Sequence, residues 1–212
     1  MARPIVYGAA MSPYVWSVRL TLAEKGVAHE LVSVGMSEFR SEAHLARNPF
    51  GKIPAFAHGE LQLYEAGAIT RYVDDAFAGP PLQPADPGDR ARMNQVIGIL
   101  DSYVYRTLVW DIYVEQVSGP ALGRVSDQAK IAAALPKAEI CLAALEEIKH
   151  GAPWLAGRAI SLADLHAAPM FALFAVAPEG RRLMARQAQL SDWLDRMKSR
   201  PSFIRAGIEP RR

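Results

Sequence analysis

The stretch Pro54-Ala55-Phe56-Ala57-His58-Gly59-Glu60-Leu61-Gln62-Leu63-Tyr64-Glu65 decides the fold. Pro54 to Ala57 and Leu61 to Tyr64 read as two short strands, and His58-Gly59-Glu60 between them reads as a hairpin turn. From Glu65 the apolar period changes: Ile69, Tyr72, Val73, Ala76 and Phe77 fall on one helical face, which predicts a helix over 65–77. Upstream, Pro4 to Tyr7 is a short apolar run ended by Gly8. Ser12-Pro13 then opens a helical pattern that runs to Gly26, with Ser at an N-cap, Pro at the first helical position and Gly as the stop. His29 to Val34 reads as a second strand, so the N-terminal segment is a βαβ unit. Ser37 to Arg47 is polar and predicts a loop with a short helix. The order β-α-β-(loop)-β-β-α describes an α/β unit with a mixed four-stranded sheet.

Composition then changes abruptly. Gly79-Pro80-Pro81-Leu82-Gln83-Pro84-Ala85-Asp86-Pro87-Gly88 holds four prolines and two glycines and reads as a linker. Residues 1–79 therefore form one expected domain, 80–88 the linker, and 89–212 a second domain that reads as helix throughout. Arg90 to Val117 is one long helical stretch, expected to end at Ser118-Gly119-Pro120. Asp127 to His150 is a second, which Pro136 is expected to kink or divide. Ser161-Leu162-Ala163-Asp164 opens a third with a capping-box layout, Asp standing where Glu is commoner, and Pro169 is expected to bend it. Leu190 to Ser199 is a fourth, with Pro201 as its stop.

Lys+Arg is 24 and Asp+Glu 22, with no basic stripe, so no nucleic-acid partner is expected. Arg211-Arg212 reads as a solvated tail. The single cysteine, Cys141, excludes an intrachain disulfide, a CxxC redox pair and a structural zinc cluster, and no metal site is expected. Cys141 lies between Ile140 and Leu142 in a helical pattern and reads as a packing residue. Met1 to Val6 carries no long apolar run, and a cytoplasmic protein with no membrane partner is expected.

Four motifs in order resemble the soluble glutathione S-transferases, in particular the serine-type, phi-like bacterial and plant members. Gly8-Ala9-Ala10-Met11-Ser12-Pro13 with Val18-Arg19 looks like the serine active-site loop. Asn48-Pro49-Phe50-Gly51-Lys52-Ile53-Pro54 looks like the loop with the family's cis-proline. Leu63-Tyr64-Glu65-Ala66-Gly67 sits where the family usually has Glu-Ser. Trp154 to Asp164 resembles its bundle-core capping motif. The resemblance implies a thioredoxin-like N-terminal domain, an all-α C-terminal bundle and a detoxification chemistry. In that chemistry glutathione, a co-substrate with no further cofactor, is conjugated to a small hydrophobic electrophile. It also implies a homodimer, with the long helix and the Phe50 loop as candidate surfaces.

The reaction needs a thiolate, whereas a free thiol has a pKa of about 8.5. Lowering it by about two units requires about 2.7 kcal/mol of preferential stabilisation of the anion. Ser12 is the candidate donor, from a helix start that itself favours negative charge. From the local sequence alone Ser12 reads first as a plain N-cap; the other motifs favour the donor role, and one serine can do both. Tyr7 is its rival, and Tyr14 and Ser17 are weaker ones. Arg40 and Lys52 are candidates for the glycyl carboxylate, the Ile53 backbone beside Pro54 for the cysteinyl part, and Glu65 and the Ala66 N–H for the γ-glutamyl end. Ala66 stands where the family has serine, Gly67 where it often has a charge, and Phe39 where phi-like members carry histidine; weaker glutathione binding is expected. The second-substrate pocket is expected from Met11 and Tyr14 with Tyr103, Arg106 and Trp110 of the long helix. Tyr113 recurs at the same helical spacing, and such a stripe is also a core or dimer pattern. Asp164 and His166 read as structural. The rival functions on this scaffold are a ligand-binding protein with weak or no transferase activity and a glutathione-dependent peroxidase. Disulfide exchange of the glutaredoxin kind is disfavoured because Ser12-Pro13-Tyr14-Val15 has no cysteine.

Overall fold

A computed structural model describes residues 2–206; the Arg211-Arg212 tail lies outside them. Residues up to Gln83, joined by the segment from Pro201, form one compact unit, and residues 84–200 form a second.

In the first unit the elements are β1 (Ile5–Tyr7), α1 (Pro13–Glu24), β2 (Glu30–Val32), α2 (Glu42–Leu45), β3 (Ala55–His58), β4 (Leu61–Tyr64) and α3 (Ala66–Ala76). The sheet order is β2-β1-β3-β4; β1 runs parallel to β2, while β1–β3 and β3–β4 are antiparallel. This is the mixed, thioredoxin-like sheet that the βαβ-ββα pattern implies. Val6 pairs with Leu31 on one side and Phe56 on the other, so the middle of β1 is the centre of the sheet. Val6 and Phe56 are buried with Val15, Val18 and Leu22 of α1 and Ile69 and Val73 of α3. Strand alternation and helical spacing thus converge on one core. Helix α1 ends at Glu24, and Gly26 takes the left-handed conformation (φ +69) that a helix end favours.

The proline-rich stretch is anchored at its start. Lys25 and Asp74 form a buried ion pair at 2.9 Å, and Lys25 also donates to the Pro80 carbonyl. Asp74 accepts the N–H groups of Leu82 and Gln83, both at 3.0 Å, and the Gln83 side-chain amide at 3.3 Å, so each oxygen of this buried carboxylate has two donors.

The second unit begins with α4 (Pro87–Ile99), which runs directly into a π-helical segment (Leu100–Ser118) and the short α5 (Gly119–Ala121). Gly119-Pro120 was expected to end the long helix. The continuous helical stretch does end there within a residue, at Ala121, with Pro120 in its last turn. Helix α6 (Gln128–Lys149) passes through Pro136 as one element, and His150 closes it in the left-handed region (φ +41). Helices α7 (Leu162–Phe174), α8 (Pro178–Met184) and α9 (Ala188–Lys198) complete the unit. Pro201, expected only to stop α9, starts α10 (Pro201–Arg205), which belongs to the first unit. There the Phe203 ring lies 4.9 Å from that of Trp16, and Ser202 donates to Glu24. Among the described residues no helix is long and apolar enough to cross a membrane.

Candidate active site

Ser12 stands at the N-cap of α1 with extended backbone angles (φ −71, ψ 125). Its N–H donates to Ala9 at 3.0 Å and its carbonyl accepts from Trp16 at 2.9 Å, so the loop is fixed through the main chain. Ser12 is half-buried, and its side chain makes no capping bond onto the helix. Gly8 permits the close approach of this loop to its neighbours. A Cβ there would lie 2.5 Å from the Val15 side chain and 3.3 Å from that of Ile53. The serine loop, the first turn of α1 and Ile53 therefore meet at one point. Of the rivals, Ser17 is buried and its hydroxyl donates to the Pro13 carbonyl at 2.9 Å. Tyr7 is the last residue of β1, with the Arg47 guanidinium 4.5 Å from its ring centre, and Tyr14 packs against the core of the unit. Met11 is half-buried beside Ser12.

The Ile53–Pro54 bond is cis, as the motif predicts. The β1–β3 pairing begins at Ala55, so the Ile53 backbone lies just outside the ladder. Gly51 is left-handed (φ +59) and pressed against the chain; a Cβ would sit 2.7 Å from the Phe39 carbonyl and 3.3 Å from Cδ of Arg40. That contact brings Arg40 alongside the residue before Lys52, and both cations are exposed.

Glu65 has φ 70 and ψ 111, a region costing about 1–3 kcal/mol for a residue with a side chain. Such outliers persist where the surroundings over-determine them, and they cluster at ligand sites. Glu65 is exposed at the N-cap of α3 and makes no side-chain cap bond. Ala66 follows it, buried, and the N–H groups of Ala66 and Gly67 are first-turn donors with no carbonyl four residues back in the helix. The Gly67 carbonyl accepts from Arg71 at 2.8 Å and from Thr70 at 3.2 Å.

Two residues whose burial sequence reasoning missed hold this region. His44 and Asn48 are 2% and 1% exposed, and both donate to the Lys52 carbonyl at 2.9 Å. They lie in or next to a polar run, where pattern alone gives no signal of burial.

In the second unit, Tyr103 and Trp110 are 62% and 42% exposed, while Tyr113 is buried. The wider π turn takes residues at ordinary helical spacing off a common face, so Tyr113 joins the core instead of the stripe. Arg106 pairs with Asp111 at 2.9 Å, and Tyr105 stacks edge-on against Trp110. Asp164 is wholly buried and accepts four bonds, from the N–H groups of Leu155 and Ser161, the Ser161 hydroxyl and the Trp193 indole. Burial pushes its carboxyl above the usual range, and those four donors oppose the shift. His166 bonds Asp101 at 2.8 Å. Cys141 is buried, and burial raises its thiol pKa, as a packing residue requires.

A thioredoxin-like unit followed by a helical unit is the class of two-part protein that the sequence resemblance implies. Residues 3–75 match the family "Glutathione S-transferase, N-terminal domain", and residues 104–201 match "Glutathione S-transferase, C-terminal domain". The chain belongs to the glutathione S-transferase family. A glutathione S-transferase of Hyoscyamus muticus is 33% identical over 95% of this chain and 96% of its own length. The crystal structure of glutathione transferase F7 from Populus trichocarpa superposes with a TM-score of 0.87 at 28% identity, covering 96% of this chain and 97% of that one. Glutathione S-transferase I from mais, in complex with an atrazine glutathione conjugate, gives 0.86 at 27% identity over 97% and 96%.

Proposed function

We propose that the protein is a glutathione S-transferase in which the Ser12 hydroxyl donates to the glutathione sulfur and holds it as the thiolate. The carrying observation is that this hydroxyl, at the opening of α1, is not used as a helix cap. The thiol proton leaves to solvent, the sulfur attacks the electrophilic carbon, a C–S bond forms and the leaving group departs with its electron pair. Charge-assisted donation and the helix N-terminus act together on the anion.

The geometry of the first unit supports the other proposed contacts. Ile53 offers its backbone to the cysteinyl part, and Arg40 and Lys52 offer charge to the glycyl carboxylate. Glu65 accepts the γ-glutamyl ammonium, and the Ala66 N–H meets the neighbouring carboxylate. The atrazine conjugate held by the relative from mais supports a hydrophobic, aromatic electrophile. Met11 and Tyr14, beside Ser12 in the first unit, are the proposed contacts for it. The protein is proposed to act in the cytoplasm as a homodimer, with exposed Phe50, stacked edge-on against Tyr64, as the first surface to test.

The test is conjugation of a chloronitrobenzene, with the bound thiol titrated by its thiolate absorbance. Ser12→Ala is expected to raise the thiol pKa by about one to two units, the helix N-terminus remaining in place, and to lower kcat/KM roughly threefold to twenty-fivefold at pH 7. Unchanged rate and pKa in that variant would remove the serine from the mechanism. Ala66 favours a second reading, a ligand-binding protein with little transferase activity, because its methyl replaces a hydroxyl at the γ-glutamyl end. Strong retention on glutathione resin, competed by free glutathione, would argue against that reading.

A further inference from the structure

We infer that His44 and Asn48 are positioning residues for glutathione, aiming the Ile53 N–H by clamping the opposite edge of the same peptide. The inference rests on the reading that Ile53 pairs with the tripeptide.

The Lys52 carbonyl receives two hydrogen bonds of 2.9 Å, from His44 Nε2 and Asn48 Nδ2. Both donors are buried, so neither bond competes with water. A carbonyl only accepts, so His44 carries its proton on Nε2. Its other ring nitrogen, Nδ1, is buried without a partner, which leaves the Lys52 contact as the polar anchor of the imidazole. Asn48 is itself immobilised, since its Oδ1 accepts the Phe50 N–H at 3.1 Å and its carbonyl accepts the Gly51 N–H at 2.9 Å.

The consequence follows from peptide planarity. The Lys52 C=O and the Ile53 N–H belong to one planar unit, and this bond is trans, so the two groups point in opposite directions. Fixing the carbonyl with two donors from the α2 side fixes the N–H toward the other side. Among the described residues that N–H donates to nothing. It is thus a preset donor, held by bonds on the opposite edge of its peptide, and the ligand does not spend affinity ordering it.

The test substitutes His44 in a graded way and reads KM for glutathione against kcat with a chloronitrobenzene. His44→Gln places an amide donor near the Nε2 position, His44→Asn carries the same group too short to reach, and His44→Leu has none. His44→Leu and His44→Asn are expected to raise the glutathione KM roughly fivefold to tenfold, the size of one weakened hydrogen bond, with kcat within about twofold of wild type. His44→Gln is expected to stay within about twofold on both. A merely structural role would lower the melting temperature in all three without separating Gln from Asn. Equal KM in Gln and Asn variants overturns the clamp, and that pair decides the matter even if His44→Leu does not fold. A wild type that neither binds nor conjugates glutathione overturns the functional reading, and the clamp with it. A wild type that does both, beside His44→Asn with unchanged KM, overturns the clamp alone.

Discussion

Asp164→Ala should cost the helical unit about 3–5 kcal/mol of stability, the range for removing one partner from a buried charged network. The carboxylate is wholly buried and joins three parts of the unit: the loop at Leu155, the start of α7 at Ser161, and α9 through the Trp193 indole. Truncation strands three buried N–H donors, each worth about 1–3 kcal/mol when left unmade. Their sum is not reached, because the variant also removes a carboxylate whose burial is unfavourable, as the upward push on its pKa records. Asp164→Asn keeps one acceptor oxygen and turns an N–H₂ toward the other donors, so it should lose about half as much. Trp193→Phe removes one donor, and its ring can keep the edge-on packing against Phe171 at 5.3 Å; about 1–2 kcal/mol is expected. The assay is urea unfolding at pH 7, followed by helical circular dichroism. An Asp164→Ala variant within about 1 kcal/mol of wild type would refute the hub, since even a single stranded donor should cost that much.

Acid should weaken the fold through two groups. Burial, helped by Arg19 and Arg3, holds His29 below its ordinary value, so the unfolded chain binds its proton first and stability falls as pH drops below about 6.5. The Lys130 contact at 2.6 Å and the Asp127 N–H hold Glu115 below its ordinary value, so its contribution is present at neutral pH and is lost as pH falls through the folded-state pKa. Urea midpoints between pH 7.5 and 3 should fall in both windows; His29→Gln should flatten the upper one and Glu115→Gln the lower, and unchanged profiles would contradict the assignments. Ala66→Ser restores a hydroxyl at the start of α3 and should tighten glutathione binding roughly tenfold by calorimetry, with an unchanged dissociation constant counting against the γ-glutamyl assignment.

The legible parts of the fold were those whose cause is local. The hairpin at Gly59, the switch of period at Glu65 and the Ser-Pro opening of α1 are each specified within a few residues, and the structure has them within a residue or two. Proline was the main source of error, because one residue type has two meanings. The ring that cannot continue a helix is also well suited to begin one. Pro201 reads as a stop yet starts a helix, and the helix opened by Pro178 was missed altogether. Where α10 goes was not legible either. Its packing depends on Phe203 meeting Trp16, far apart in the chain, and periodicity says nothing of such a meeting.

The same division runs through the site. Ser12, Lys52 and Glu65 stand in motifs that announce them, so their candidacy was available from the sequence. The backbone strain at Glu65 was not, because φ is a property of the folded neighbourhood and not of a glutamate beside a tyrosine. His44, and the burial of Asn48 at the head of its motif, were hidden for a sharper reason. A half-buried polar run and a solvated one have the same composition, and only a shared acceptor distinguishes them. Two donors converging on the Lys52 carbonyl make burial of both side chains tolerable, since each satisfies its N–H there. The residues that carry chemistry were therefore visible, while those that hold a peptide at the right angle emerged only when its hydrogen bonds were counted.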